Sequence, residues 1–142
     1  MKVQDVMTRN VISVGPEETV DVAARTLCRH NIGALPVCSD SGRLCGVVTD
    51  RDLVTRCMAP QLQPASTRVK DVMTKQVVSI QPDMDVRTAA FLMDYRQLRR
   101  LPVTENGKVC GMLSLTDLMS ASEETEENVK KEAAGNVGKT AK

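Results

Sequence analysis

The chain is poor in aromatic residues, with one Phe, one Tyr and no Trp among 142 residues. A hydrophobic core must therefore be aliphatic, built from Val, Leu, Ile, Ala and Met. The same scarcity removes the aromatic platforms on which single-stranded nucleic acids stack. Net charge adds no general attraction to DNA or to an anionic membrane, because 19 basic and 18 acidic residues leave only +1. We therefore expect no nucleic-acid partner.

Long apolar runs and paired cysteine motifs are also missing. No stretch approaches the roughly 18 apolar residues of a membrane span, and the first residues lack the apolar core of a secretory signal. The five cysteines contain no C-x-x-C pair, so we expect buried, reduced thiols. The lone His30 has no cluster for a metal and no partner for nucleophilic catalysis. We expect a cytoplasmic protein that is not an enzyme and has no membrane segment, metal or catalytic cofactor.

What the chain does contain is an internal repeat. The segment Val3-Gln4-Asp5-Val6-Met7-Thr8 returns 66 residues later as Val69-Lys70-Asp71-Val72-Met73-Thr74. The same offset places Leu35-Pro36-Val37 on Leu101-Pro102-Val103, and one residue is then lost in a turn. A unit of about 50 ordered residues is marginally stable alone. We therefore expect the two copies to pack through their sheets as a pseudo-twofold pair.

Each copy predicts the order strand, helix, strand, strand, helix, which is an α/β (α+β) arrangement. Helical spacing of apolar residues, as in Val20, Ala23 and Leu27, indicates the first long helix, and Gly42 and Gly107 mark turns. In the first copy we predict strands over 11–14, 35–38 and 44–49 and helices over 17–32 and 51–58. In the second copy we predict strands over 77–80, 101–104 and 109–114 and helices over 85–97 and from 115 onward.

The domain boundaries follow from the repeat and from composition. The first repeat is expected over residues 1–58 and the second over 69–121, with a linker over 59–68 that contains two prolines. Residues 122–142 are rich in Glu and Lys and poor in apolar side chains, so we expect a charged tail that is frayed or disordered.

The tandem D-V-M-T openings, L-P-V strands and G-x-x-[ST]-x-x-D endings resemble a pair of cystathionine-β-synthase (CBS) domains, also called a Bateman module. The endings are Gly46-Val47-Val48-Thr49-Asp50-Arg51-Asp52 and Gly111-Met112-Leu113-Ser114-Leu115-Thr116-Asp117. The resemblance covers about residues 3–121. It implies a regulatory module that binds adenosine-type ligands, such as AMP, ADP, ATP, S-adenosylmethionine or NAD(H), and that commonly dimerises.

Each ending places a carboxylate three residues after a hydroxyl: Asp52 after Thr49, and Asp117 after Ser114. A carboxylate at a helix start can accept hydrogen bonds from ribose hydroxyls. The hydroxyl and the free N–H groups of the helix N-terminus can hold phosphate. The same spacing also forms a capping box, in which both side chains serve only the helix end. The two roles can coexist.

The resemblance implies two clefts, each drawing on both copies. The first is expected to combine Asn10, Ile12, Ile32, Gly33, Ser114, Thr116 and Asp117. The second is expected to combine Thr49, Arg51, Asp52, Gln76, Val78, Leu98, Arg99 and Arg100.

The copies differ at these positions in a way that bears on the ligand. Gly33-Ala34 of the first copy corresponds to Arg99-Arg100 of the second, and Arg51 stands where the second copy has Thr116. Guanidinium groups suit bidentate phosphate contacts. We hypothesise that the second cleft prefers more phosphate charge and that the first takes an adenosine or AMP-like group. Alternatively, Arg99 and Arg100 are solvated surface charges.

The second long helix carries Phe91 and Tyr95, four residues apart and off the main apolar face, where the first has Arg25 and Arg29. Related modules dimerise through these helices, and an exposed aromatic stripe needs cover. We therefore expect a homodimer contact here, with local packing as the alternative.

The leading function is a free-standing nucleotide sensor whose target is a separate, unknown protein. The alternative is an interaction module that uses the fold for assembly and leaves its clefts empty. A thiol redox sensor would need a thiolate beside positive charge, which only Cys28 and Cys57, each next to an Arg, provide in the sequence.

Overall fold

The structure, a computed structural model, describes residues 1–122. It contains two similar α+β repeats, each with a two-stranded antiparallel sheet. The predicted tail lies, apart from Ser122, outside the described residues. Residues 115–122 are helical and are called α6. The other elements are α1 (Val3–Val6), α2 (Val20–His30), β1 (Ala34–Cys38), β2 (Leu44–Thr49), α3 (Asp50–Leu53), the π-helical turn Val54–Met58, α4 (Val69–Val72), α5 (Val86–Arg96), β3 (Arg100–Glu105) and β4 (Lys108–Ser114).

Each sheet turns one face to a long helix, and the two cores are built alike. In the first core, Leu35 of β1 lies opposite Val48 of β2, and both are fully buried with residues of α2. In the second core, Leu101 lies opposite Leu113, again fully buried, beside α5. The alternation of side chains along a strand places these residues on one face. The predicted fold class is therefore confirmed, with most element ends shifted by a few residues.

The strands predicted over 11–14 and 77–80 are each reduced to one parallel bridge, Val14 with Val37 and Ile80 with Val103. Val14 donates its N–H to the carbonyl of Pro36 and accepts from Cys38. A longer ladder would need N–H donors from Pro36 on one side and Pro16 on the other, and proline has none. Equivalent prolines stop the second bridge, so the prediction of full strands was wrong for this reason.

The opening segment of the first repeat completes the second core. Val3 donates its N–H to the carbonyl of Met84 at 2.8 Å, and Thr8 and Met112 exchange two backbone hydrogen bonds of 2.8 and 2.9 Å. The side chain of Val3 is fully buried in the second core. This segment therefore packs on the repeat to which it does not belong in sequence.

The second opening segment makes the reciprocal contact. Val69 donates its N–H to the carbonyl of Glu18 at 2.8 Å, and Val69 and Val72 are fully buried in the first core. The Nζ of Lys70 lies 2.9 Å from the carboxylate of Glu17, and this hydrogen bond lowers the pKa of that carboxyl. Each core is thus completed by the D-V-M-T opening of the other copy.

The two sheets meet at their hairpin turns. Leu44 donates its N–H to the carbonyl of Gly107, and Val109 donates to the carbonyl of Gly42, both at 3.1 Å. Gly42 and Gly107 have positive φ angles of 86° and 81°, a backbone conformation that glycine adopts without penalty. The contact between the two sheets is therefore made by hydrogen bonds between their hairpin turns.

Candidate functional site

A cavity of about 310 Å³ opens between the repeats and contains five residues of the predicted second cleft. Its remaining lining comes from positions that the sequence did not single out. The predicted residues are Thr49, Gln76, Val78, Leu98 and Arg100, and the additional ones are Val47, Thr74, Val77, Arg96 and Pro102. Both repeats therefore contribute to the cavity, which was the central expectation for this cleft.

The exchanged opening segment holds one wall of this cavity in place. Val47 of β2 and Thr74, just beyond α4, exchange two backbone hydrogen bonds of 3.0 and 2.9 Å. The next residues, Gln76 to Val78, continue along the cavity. The wall therefore depends on the docking of α4 against the first repeat.

The opposite wall follows the period of a strand. Leu98, Arg100 and Pro102 line the cavity, whereas the intervening Leu101 and the following Val103 are fully buried in the second core. Successive side chains on an extended chain point to opposite faces. An apolar surface and a guanidinium group therefore share one side of the cavity.

Two arginines line this cavity, Arg96 at the end of α5 and Arg100 at the start of β3. Between them the chain turns at Gln97, which has a positive φ of 54°. Within the described part of the chain, no carboxylate lines the cavity. The site is thus an apolar slot with two positive charges, a combination suited to a flat base joined to a phosphate.

Arg51 and Arg99 do not line the cavity, although the sequence placed both in it. Along the extended chain, Arg99 alternates with Arg100 and falls on the same side as the buried Leu101. It is exposed to solvent outside the cavity. Arg51 is exposed in the short helix α3. Of the three arginines expected in this cleft, only Arg100 lines the cavity. The second arginine of the lining, Arg96, was not predicted from the sequence. The 66-residue offset pairs Arg96 with His30, which gave no reason to select it.

Asp52 is likewise absent from the lining because its carboxylate caps α3. One oxygen, Oδ2, accepts the N–H of Thr49 at 3.0 Å, and the N–H of Asp52 donates to Oγ1 of Thr49 at 3.1 Å. The other oxygen lies 3.9 Å from Nε of Arg56, and Asp52 is only 7% exposed. The capping box weighed as the alternative is present, and it occupies this carboxylate.

Asp117 forms the same box with Ser114, but within the described residues its carboxylate has no counterpart of the Arg56 contact. Its Oδ2 accepts the N–H of Ser114 at 2.9 Å, and its N–H donates to Oγ of Ser114 at 3.1 Å. The position equivalent to Arg56 is Ala121, which carries no charge. Within residues 1–122, Oδ1 of Asp117 makes no hydrogen bond or ion pair, and Asp117 is partly exposed. The two carboxylates are therefore not equivalent.

The residues expected in the first cleft are distributed over several parts of the described structure. Asn10 lines a separate, open cavity of about 560 Å³, and Ile12 and Ile32 pack against the first core. A Cβ on Gly33 would lie 3.5 Å from the carboxylate of Asp50, so this glycine faces the start of α3. Thr116 is exposed on α6. Gly33 is the repeat equivalent of Arg99. The side-chain alternation that keeps Arg99 out of the second cavity therefore also turns position 33 away from the first cleft.

Three of the five cysteines lie in surroundings that do not favour a reactive thiol. Burial raises the pKa of the Cys38 and Cys110 thiols, which disfavours the reactive thiolate. Cys57 is 1% exposed and donates to the carbonyl of Leu62, so it does not fit a redox sensor. Among residues 1–122, no group of three or more His, Cys, Asp or Glu side chains is arranged to hold a metal.

Over the same residues, no helix combines the length and the apolar character that crossing a membrane requires.

Comparison with known proteins agrees with the geometry. The chain is 40% identical over 116 residues to the CBS domain-containing protein YhcV of Bacillus subtilis, covering 82% of this chain and 81% of YhcV. It superimposes with a TM-score of 0.78 on the crystal structure of CBSX2 in complex with AMP, at 28% identity, covering 88% of this chain and 98% of that one. The crystal structure of Hypoxic Response Protein I with two coordinated zinc ions matches with a TM-score of 0.78 at 30% identity, covering 84% and 98%.

The CBS domain family model matches residues 3–59 and again residues 69–124. Together these ranges take in both exchanged openings, both hairpins and every residue that lines the cavity between the repeats. The chain therefore belongs to the CBS domain family and carries a tandem pair of CBS domains.

Proposed function

We propose that this protein is a cytoplasmic regulatory module that binds an adenosine-type ligand, with AMP, ADP or ATP first, in the cavity between its repeats. The observation that carries the proposal is the cavity itself, about 310 Å³ in volume, with apolar walls from both repeats and two guanidinium groups. This volume lies at the lower end of the range typical of small-ligand pockets. The AMP complex of CBSX2, a 28% identical protein, supports the choice of ligand class.

The cavity lining assigns a role to each part of such a ligand. Apolar contacts from Val47, Val78 and Leu98 would accept the faces of an adenine ring, and Arg96 and Arg100 would pair with phosphate oxygens. S-adenosylmethionine and NAD(H) share the adenosine group and remain members of the same class. A ligand with more phosphate charge gains more from two guanidinium groups.

A ligand in this position can report on the arrangement of the repeats. Thr49 belongs to the first repeat and Arg100 to the second, so one molecule would contact both. Such a ligand shifts the arrangement only if its affinity differs between two states of the pair. A separate target protein would then respond to the favoured state.

The phosphate role of Arg100 is tested by comparing its alanine variant with the alanine variant of Arg99. In isothermal calorimetry with AMP, ADP and ATP, Arg100→Ala should weaken ATP binding about tenfold to a hundredfold, since a charge-assisted hydrogen bond contributes about 1.5–3 kcal/mol. Arg99→Ala removes the same charge one residue away, outside the cavity, and should change affinity less than about threefold. Equal losses in the two variants would contradict the assignment and leave only a general effect of surface charge.

The two capping carboxylates should separate ligand binding from stability. We further propose that Asp117, which the resemblance places in the first cleft, accepts hydrogen bonds from ribose hydroxyls. Asp117→Asn keeps an acceptor for the N–H of Ser114 but removes the carboxylate charge, so we expect about tenfold weaker binding of AMP. Asp52→Asn should leave nucleotide affinity unchanged and lower the free energy of unfolding by about 1 kcal/mol, because it weakens a contact with Arg56. Calorimetry and urea unfolding of both variants give the comparison. Loss of affinity only in Asp52→Asn would reverse the assignment of the carboxylates.

An assembly module with empty clefts is the second candidate. Phe91 and Tyr95 are 68% and 72% exposed, and this exposed pair favours a homodimer contact through the repeat helices. A thermal-shift panel of AMP, ADP, ATP, S-adenosylmethionine and NADH distinguishes the candidates. A rise in melting temperature with any of these ligands supports the sensor. No rise with any of them supports the assembly module.

A further inference from the structure

A second cavity between the repeats lies beside the hydrogen-bonded hairpin turns, and we call it the hairpin cavity. Its volume is about 250 Å³, and both repeats line it, with Leu44 and Gly107 of the hairpin contact among the lining residues. Val77 lines this cavity and also the cavity of about 310 Å³ described above, called the ligand cavity here, so the two are neighbours. No residue predicted for either cleft lines the hairpin cavity.

The charged and hydroxyl side chains of the hairpin cavity are two cations and two alcohols. The cations are Arg43, directly before β2, and Lys75, shortly after α4. The alcohols are Ser79 and Thr104, whose hydroxyl oxygens lie 3.4 Å apart. In the part of the chain that the structure describes, no carboxylate lines this cavity. Cations and hydroxyl groups are the side-chain groups that hold phosphate oxygens in proteins.

The guanidinium group of Arg43 is held at the cavity by the hairpin of the other repeat. Its Nη1 donates to the carbonyl of Asn106 at 3.3 Å. A Cβ on Gly107 would collide with Nη2 of Arg43 and would lie 2.9 Å from Cζ, so this glycine leaves the space that the guanidinium group occupies. One cation is therefore positioned before any ligand arrives, and such preorganisation lowers the cost of binding.

Lys75 is the adaptable cation of the hairpin cavity. Its side chain is exposed, and within residues 1–122 its Nζ makes no hydrogen bond or ion pair. Lys70, five residues earlier, is instead paired with the carboxylate of Glu17 at 2.9 Å. The ammonium group of Lys75 is therefore free to turn toward an anion in the cavity.

The repeat provides an internal comparison. The open cavity of about 560 Å³ next to the first opening segment is lined by Arg9, which the 66-residue offset pairs with Lys75. The carboxylates of Glu18 and Asp40 also line that cavity, and the same offset replaces Glu18 by Met84 in the second repeat. An anion there would meet negative charge, which is unfavourable. Of the two equivalent cavities, only the hairpin cavity suits an anion.

We propose that the hairpin cavity is a separate binding site for a phosphate-type oxyanion, held by Arg43, Lys75 and the two hydroxyl groups of its lining. Its volume of about 250 Å³ is below the roughly 300–1,000 Å³ of typical small-molecule pockets. The size favours an inorganic ion or a single phosphate group over a whole nucleotide. The site does not depend on ligand binding in the ligand cavity, because neither Arg43 nor Lys75 lines that cavity.

Titration of the full chain with sodium phosphate tests the site, with amide correlation spectra as the readout and sodium chloride of equal ionic strength as the blank. We expect saturable shifts of the amides in residues 43–46, 75–79 and 104–107, which line the cavity or adjoin its lining. Lys75→Ala should weaken phosphate binding about fivefold or more, since it removes a charge-assisted contact. Lys75→Arg keeps the charge and should retain binding. Both variants should fold, because this side chain is exposed.

Arg9→Ala is the matched control, since it removes one positive charge at the repeat-equivalent position and should leave phosphate affinity unchanged. Equal weakening by Arg9→Ala and Lys75→Ala would overturn the proposal, because phosphate would then respond only to net charge. Shifts confined to residues 96–102 would place the phosphate at Arg96 and Arg100 in the ligand cavity, which also contradicts it. Shifts that grow without saturation would show ionic screening and no site.

Calorimetry with AMP and ATP identifies the source of the anion. If the site takes a free ion, Lys75→Ala should leave the affinities for both nucleotides unchanged while it weakens phosphate binding. If the anion is the phosphate end of a nucleotide in the ligand cavity, a case that rests on the proposed function, Lys75→Ala should weaken ATP binding more than AMP binding. Either result supports the oxyanion site once the phosphate titration has given the expected shifts.

Discussion

Replacing Val3 by Asp is expected to destabilise the second repeat, although Val3 stands at the start of the first. Its side chain is fully buried among the residues of the second core, so the new carboxylate would lie in an apolar site without a partner. Burial of an unpaired charge belongs to the most damaging class of substitution. We expect the free energy of unfolding to fall by more than about 4 kcal/mol.

Hydrogen exchange locates the damage. In Val3→Asp, the amides of β3 and β4 should lose protection before those of β1 and β2, and Val69→Asp should produce the reverse order. Gln4→Asp is the matched control, since it adds the same charge at the adjacent, partly exposed position and should change stability by less than about 0.5 kcal/mol. Earlier loss of protection in β1 and β2 in Val3→Asp would show that α1 does not complete the second core.

Substitution of Gly46 by Ala is expected to have the second-largest effect. A Cβ at this position would lie 2.6 Å from the backbone carbonyl oxygen of Thr74, and it would meet Sδ of Met73 at 3.0 Å. The backbone oxygen is held by hydrogen bonding to Val47 and cannot move without loosening the exchanged segment. We expect a loss of about 3 kcal/mol in the free energy of unfolding, the upper part of the range for overpacked sites.

Gly111 provides the matched comparison, because it is the equivalent position in the second repeat. There the nearest atom to an added Cβ is the flexible Sδ of Met7, at 2.5 Å, and the carbonyl oxygen of Thr8 is 3.1 Å away. A methionine side chain adapts more easily than a backbone carbonyl, so Gly111→Ala should cost about 1 kcal/mol. Urea unfolding of both variants measures the difference. A larger loss for Gly111→Ala would disprove the argument from the backbone oxygen.

Much of the fold could be predicted because its signals are local. The repeat, the helix spacing and the turn glycines identify both hairpins and both long helices. The capping boxes were also visible, since they need only a hydroxyl and a carboxylate three residues apart. The brief first strands were overpredicted, although Pro16 and Pro36 stand in the sequence. Their effect depends on which residues pair across the bridge, and this register is not a local property.

The exchange of α1 and α4 could not be predicted from sequence patterns. The two segments share Val, Asp, Val, Met and Thr at the same positions, so each fits either core equally well. Periodicity identifies which residues are buried but not which of two similar cores receives them. Only the three-dimensional connection through the rest of the chain distinguishes the two arrangements.

The candidate site was predicted in part for a related reason. Family resemblance identified the strand ends that meet in the cavity, which is why Thr49, Gln76 and Arg100, predicted to share a cleft, lie together in its lining. Whether Arg99 lines the cavity depends on which side of the extended chain it falls. Whether Arg51 and Asp52 do so depends on the contacts they make at the start of α3. Asp52 shows the second effect most clearly, because its carboxylate is occupied by its own helix and by Arg56.

The exchanged openings also constrain how such a chain can arise and change. One copy alone would leave its core open where the other copy's first helix now packs, unless a second molecule supplied that helix. The present chain therefore has the arrangement that a symmetric exchange of opening segments between two such repeats would give, with both repeats on one chain. Once joined, the copies can diverge freely on their helix faces and in their clefts, but the two opening motifs must stay compatible with the opposite core. This accounts for a sequence whose openings remain nearly identical while Arg25 and Arg29 face solvent where the other copy has Phe91 and Tyr95.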